Sequence, residues 1–333
     1  MSCRSALKPY STAPHFPLRR RPPFPDLPSG PYNGKGTQGY QLCRRRGLDV
    51  PSLPKLIFDT NVCGKLLTSS YRGDLEGINR RLSRNFRVVI SFVTFIELLD
   101  GIKGGDATHF ESDKQRLRFM AGGGRPTFLR LPGAFALSKV LGIEPAHLRS
   151  VSKLGPADFQ KWFCLILRAE GRDEMLRSGV KHPLAQRQLA AVFDPANITR
   201  EQRAAKTAHR RILEDVRDGK RPSPSPDVWA AGIALALGRR IQQSQATLLA
   251  NRLDAAYQYR KAMCDVAATG SYNFDKHDGD WNDYQQLFYL CDPSIHLLTD
   301  DAKLRKRVVK SPQRDRILDL RDFLKSLGFT PCH

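Results

Sequence analysis

Short apolar runs alternate with longer stretches of helical spacing along most of this chain. Leu56-Ile57-Phe58 is a brief apolar run of the kind that a fully buried strand shows. It stops at Asp59, Thr60 and Asn61, which are good N-cap residues for a helix beginning near Val62. The pattern then predicts helices over 62–68 and 75–82, a strand over 86–91 and a helix over 94–102. Thr94 and Glu97 stand at the T-x-x-E spacing of a capping box. A further helix follows near 114–120. Gly122-Gly123-Gly124 breaks it without the spacing of a phosphate-binding loop. A third strand is expected over 126–131 and a helix over 134–141.

Between residues 143 and 273 the pattern turns mostly helical, with helices predicted over 157–170, 184–193, 200–216, 227–242 and 246–267. The Pro- and Ser-rich linker 220–226 interrupts them. The strand-helix alternation then resumes. An amphipathic helix follows the polar start at Asp278, Asp280 and Asp283. A strand over 294–299 ends at Asp300 and Asp301, and a short basic helix covers 303–307. A strand at 316–318 and a helix over 319–327 close the pattern at Gly328. Alternation of this kind implies a parallel sheet with helices on both faces. The expected organisation is a basic tail over 1–50, an α/β part over 54–142, a helical insertion over 143–273 and a second α/β part over 275–330.

Charge changes the picture. The chain has 333 residues with 54 Lys and Arg against 33 Asp and Glu, a net charge of +21. Such a surplus suits a polyanionic partner, either nucleic acid or an anionic membrane surface. No apolar stretch approaches the roughly 18–20 residues needed to span a bilayer, and the start carries no secretory signal pattern. The 7 cysteines are scattered and form no C-x-x-C pair, which argues against a zinc site or disulfide framework and fits a reducing cytoplasm. The tail, with Arg19-Arg20-Arg21 and Arg44-Arg45-Arg46, has too few apolar residues to offset the entropy of ordering, and a disordered basic segment is expected there. Arg200, Arg203, Lys206, Arg210 and Arg211 fall on one predicted helix, either as a solvated face or as a stripe that tracks phosphates.

The chemistry lies where strands end. Right-handed crossovers place the ends of the first and fourth strands on one sheet edge, where open α/β sheets bind their ligands. Asp59, Glu97, Asp283 and Asp301 are expected to converge there. Neighbouring carboxylates repel and need a positive charge to neutralise them. With no Cys or His among them, they suit a hard cation such as Mg2+ or Mn2+. That combination performs phosphodiester hydrolysis through an activated water. The plainer readings stay open: Asp59 as a helix cap, and Glu97 as one half of a capping box.

The stretches Phe58-Asp59-Thr60-Asn61-Val62, Glu97-Leu98-Leu99-Asp100-Gly101, Asn282-Asp283-Tyr284-Gln285-Gln286-Leu287 and Leu297-Leu298-Thr299-Asp300-Asp301 resemble the four acidic motifs of PIN-domain nucleases, in order and in spacing. The resemblance implies a three-layer αβα sandwich on a five-stranded parallel sheet, here with an inserted helical subdomain. It also implies a divalent-metal-dependent endoribonuclease, usually selective for single strands. It carries over Asp59, Glu97, Asp283 and Asp301 as metal-coordinating acids, with Asp300 as the nearest rival to Asp301. Thr60, Asn61 and Thr299 become polar supports and Asp280 an accessory acid. Lys303, Arg305, Lys306 and Arg307, just after the last motif, are the cations expected to hold the substrate. RNA, single-stranded or structured, is the implied partner. A toxin-type role with an antitoxin protein, and self-association, are compatible with the family. The insertion and the tail depart from its usual compact form. A structure-selective DNA nuclease and a non-cleaving PIN-fold module that binds RNA or protein remain the alternatives.

Overall fold

The computed structural model describes residues 53–68, 75–104, 107–122, 126–148, 155–178, 195–273, 277 and 279–329. The basic tail and the helix expected over 184–193 lie outside them. Five parallel strands form one sheet in the order β3-β2-β1-β4-β5. They are β1 (Lys55–Phe58), β2 (Arg87–Ile90), β3 (Thr127–Phe128), β4 (Ile295–Thr299) and β5 (Ile317–Asp319). β1 is the central strand because Leu56, Ile57 and Phe58 are apolar without alternation and can be covered on both faces; none is more than 1% exposed. The α/β class, the parallel sheet and its five strands match the expectation from the sequence, with helices layered on the sheet.

Each strand hands over to a helix. α1 (Thr60–Thr68) follows β1, α2 (Leu75–Asn85) leads to β2, and α3 (Phe92–Gly104) and α4 (Ala107–Ala121) lie between β2 and β3. α5 (Pro132–Leu141) opens on a proline, which suits the first helical position because its missing N–H would have no partner there. That early start is why the third strand is shorter than the 126–131 run suggested. Leu131 already stands at the N-cap of α5, although Leu129 N still bonds Ile90 O at 2.9 Å.

α3 likewise begins earlier than the expected Thr94. Ser91 caps it, its Oγ accepting from Thr94 N at 3.0 Å. The Thr94 hydroxyl is turned away, donating to Phe58 O at 2.7 Å. Thr94 and Glu97 therefore do not form a capping box, and Glu97 is released for other contacts.

The helical stretch comprises α6 (Pro156–Arg168), α7 (Arg172–Ser178), α8 (Pro195–Arg217), α9 (Pro226–Ala236), α10 (Gln243–Arg252) and α11 (Asp254–Ala268). The helix expected over 227–242 ends at Ala236. Gly238, at φ 83°, takes the left-handed turn that a side chain would oppose, and Arg239 N reaches back to Ala234 O at 2.9 Å. The expected helix over 246–267 is likewise two helices that meet at Leu253. These helices share one core with the sheet. Phe159 of α6 packs at 5.3 Å from Phe92 and 5.9 Å from Phe95, ring centre to ring centre. Trp229 of α9 donates its indole N–H to the Tyr284 hydroxyl at 2.9 Å. Burial of each such aromatic contributes about 1.5–3 kcal/mol. α12 (Asp280–Gln286) leads through a 3-10 turn into β4, and α13 (Ala302–Arg307) and α14 (Leu320–Ser326) complete the chain. Among the described residues no helix is long and apolar enough to cross a membrane.

Candidate functional site

The register of β1 and β4 sets the site. Phe58 lies opposite Leu298, so Asp59 is level with Thr299 at the carboxyl ends of both strands. Asp59 N donates to Leu298 O at 3.0 Å, extending the ladder by one bond. The buried Thr299 hydroxyl donates to Asp59 Oδ2 at 2.9 Å and accepts from Asp301 N at 3.0 Å. Accepting that N–H aims the hydroxyl proton at Asp59. Asp301 Oδ1 in turn accepts from Lys303 N at 2.7 Å, which caps α13 and fixes the second carboxylate beside the first. Burial pushes the Asp59 carboxyl up, and the charge of Asp301 adds to it. The Thr299 hydroxyl and the backbone N–H groups of Asn61 and Thr60 oppose the rise.

Asp283 arrives from α12, whose side chains are pinned by the aromatic packing of Tyr284 against Trp229 and Phe288. Burial pushes its pKa up to about 8, with the charges of Asp59 and Asp301 acting in the same direction. Three acids distant in sequence thus feel one another's charge at one sheet edge. Tyr259 of α11 donates its hydroxyl to Asp283 Oδ2 at 3.1 Å and partly relieves that repulsion. Burial, followed by the charge of Asp283, holds the Tyr259 phenol well above its usual range, so it stays a donor.

Glu97 serves as a bridge. One of its oxygens accepts from the Thr60 hydroxyl, and the other from Asn282 Nδ2 at 2.5 Å. It therefore joins the residue after Asp59 to the residue before Asp283. Asn61 is exposed at the start of α1, and its backbone N–H, rather than its amide, serves Asp59.

The expected accessory acid, Asp280, is already neutralised. Arg307 Nη1 lies 2.7 Å and Lys303 Nζ 3.1 Å from it, and the Tyr272 hydroxyl donates to it at 3.0 Å. Burial pushes its carboxyl up, but Arg307 and Lys303 outweigh burial and hold it below the usual range. Asp300 pairs with Lys65, whereas Asp301 is the acid of its motif whose charge acts on Asp59. Two of the four cations expected to hold substrate, Lys303 and Arg307, are therefore turned inward onto Asp280. Arg307 also lies over the Tyr259 ring, 4.8 Å from its centre. Arg305 pairs with Asp319 at 2.6 Å. Lys306 is exposed, and among the described residues it forms no ion pair. On α8, Arg210 pairs with Glu214 at 3.1 Å.

Sequence reasoning missed Tyr259, Asn282 as a partner of Glu97, and Thr94 as the tie to β1. Tyr259 shares its helix face with buried Ala255, Ala256 and Met263, so its spacing reads as ordinary core.

Asp59 and Asp301 are the acids of this edge whose charges act on Asp283. Their hard oxygen donors and mutual repulsion fit Mg2+ or Mn2+. Among the described residues, however, no three His, Cys, Asp or Glu side chains form a group that could hold a metal ion, so the donors fit in kind without forming a closed ligand set. Comparison of the chain with known protein families, with curated proteins and with solved structures finds no match.

Proposed function

We propose that this chain is a divalent-metal-dependent endoribonuclease of PIN type, hydrolysing phosphodiester bonds of RNA at the edge formed by β1, β4 and α12. The observation that supports this reading is that the Thr299 hydroxyl donates to Asp59 and accepts from Asp301 N at the strand ends, with Asp283 of α12 feeling the charge of both acids. A protein gains nothing in stability by burying like charges together, so a positive ligand is the natural complement of the site. A bound Mg2+ or Mn2+ would supply an acidic water and would neutralise charge on the phosphate. In this reading Asp59 and Asp301 are held in fixed orientation by Thr299, and Glu97 fixes the spacing between Asp59 and Asp283. The phosphate backbone approaches over the exposed Lys306.

The test is cleavage of end-labelled single-stranded RNA and of flap DNA in Mg2+, Mn2+ or EDTA, with wild type and Asp59→Asn. The expected result is metal-dependent cutting of RNA that the substitution abolishes while the protein stays folded. Cutting of flap DNA alone would move the substrate to DNA. Full activity in EDTA or in the variant would refute the metal-carboxylate reading, and metal-dependent binding without any cutting would make the chain a binding module.

A further inference from the structure

Behind the acidic edge, on the far side of α12, lies a second group of polar side chains with the opposite character. Arg260 of α11 is 3% exposed, His209 of α8 is 8% exposed, and Trp281 stands on α12 between Asp280 and Asp283. Arg260 Nη1, His209 Nε2 and Trp281 Nε1 are all buried and all lack a hydrogen-bond partner. They are neighbours: the His209 and Trp281 rings are 5.0 Å apart and the His209 and Tyr284 rings 5.3 Å, and the charge of Arg260 acts on both His209 and Tyr284. The acid near them, Asp280, is committed to Arg307, Lys303 and Tyr272.

A buried guanidinium without a counter-charge is among the most costly arrangements a core can hold. Water could satisfy its N–H groups but would leave its charge uncompensated. A guanidinium fork is matched by two oxygens of one anion. The imidazole in its Nε2–H tautomer and the indole each add a donor and no acceptor. Burial, then Arg260, lowers the His209 pKa to about 3, so the ring is neutral and Arg260 is the charge to be matched.

We infer that Arg260, His209 and Trp281 form a buried receptor for one small tetrahedral oxyanion of the phosphate class. The three donors come from α8, α11 and α12, so the anion ties the long helix α8 to the two helices that carry Tyr259 and Asp283. Donors this deeply buried suit a small free oxyanion better than a polymer backbone. The inference does not depend on the nuclease reading, because the donors are distinct from the acids of the edge.

The test is calorimetric titration and thermal melting of the full chain in EDTA, with inorganic phosphate compared with chloride at equal ionic strength. EDTA removes any metal-bound phosphate at the acidic edge. Wild type should bind one phosphate per chain in a saturable step and melt at a higher temperature in phosphate than in chloride. Arg260→Gln and Trp281→Phe should each weaken that step by about tenfold or more, the scale of one lost hydrogen bond to a charged group. Lys325→Ala, on the exposed face of α14, should leave it intact. Trp281→Phe keeps a smaller aromatic ring against His209 and Tyr284 while removing the indole donor, so it decides the question if Arg260→Gln fails to fold. An isotherm in phosphate no different from that in chloride would overturn the inference, as would an unchanged step in Trp281→Phe.

Discussion

The hydroxyl of Tyr259 donates to Asp283 Oδ2 at 3.1 Å, across 24 residues and two helices. Tyr259→Phe keeps the ring, its packing and the Arg307 guanidinium over its face, and removes the hydroxyl that donates to Asp283 and also bonds Arg307. Losing it raises the Asp283 pKa further, because the Tyr259 bond lowers it. Cleavage should fall by roughly tenfold at neutral pH, equivalent to one charge-assisted hydrogen bond of about 1.5 kcal/mol. The pH at which activity rises should also move upward. A rate profile that superimposes on wild type would remove Tyr259 from the positioning of Asp283.

Glu97 accepts from both Thr60 and Asn282. Asn282→Asp replaces a donor by a second carboxylate 2.5 Å from the first and should cost about 1–3 kcal/mol at neutral pH. Glu97→Gln in the same chain restores a donor and should recover part of that cost. Urea unfolding of the two single variants and the double variant closes the cycle. Additive effects within about 0.5 kcal/mol would mean that the two side chains are not coupled.

Some of this geometry was legible in the chain and some was not. β1 and β4 were, because a strand covered on both faces needs an unbroken apolar run, and Asp59 and Asp301 mark where each run stops. The pairing of Asp280 with Lys303 and Arg307 was not, since a cation 23 or 27 residues away in sequence carries no sign that it faces inward. The start of α3 was misread because Ser91 and Thr94 both suit an N-cap, and the choice was made by the bond from Thr94 to Phe58 O on another strand.

Arg307 and Lys306 are adjacent and should behave oppositely. Arg307 is 10% exposed and bound to Asp280, itself 7% exposed. Arg307→Ala leaves the buried Asp280 carboxylate with Lys303 and the Tyr272 hydroxyl and should destabilise the fold by about 3 kcal/mol. Lys306→Ala should change stability by no more than about 0.5 kcal/mol. It should instead weaken RNA binding in Ca2+ and flatten the slope of log affinity against log salt by about 0.7. Denaturation and salt titration of both variants check the pair. Equal losses of stability, or an unchanged slope in Lys306→Ala, would contradict this division of roles.

At the opposite end of β4, Asp292 anchors the sheet by charge. Its carboxylate lies 3.0 Å from Lys55 Nζ and 3.6 Å from Lys139 Nζ, and it accepts from Ser294 Oγ at 2.7 Å and Ser294 N at 3.0 Å. Burial alone would raise its pKa, but the Ser294 hydroxyl and amide together with Lys55 outweigh burial and hold it at about 2. An unfolded Asp titrates near 3.9. Between these values the unfolded chain binds more protons than the folded one, so the stability that Asp292 contributes is full above about pH 4 and is lost as pH falls towards 2. Asp292→Asn should therefore lower stability by about 1–3 kcal/mol at neutral pH. The gap between wild type and variant should narrow steadily on acidification through that window. Comparing the two chains at each pH cancels the titration of the other acids. Urea melts at neutral pH, near pH 4 and near pH 2.5 supply the comparison. A gap of constant size would show that packing, and not the charge of Asp292, holds Lys55 and Ser294 at the start of β1 and β4.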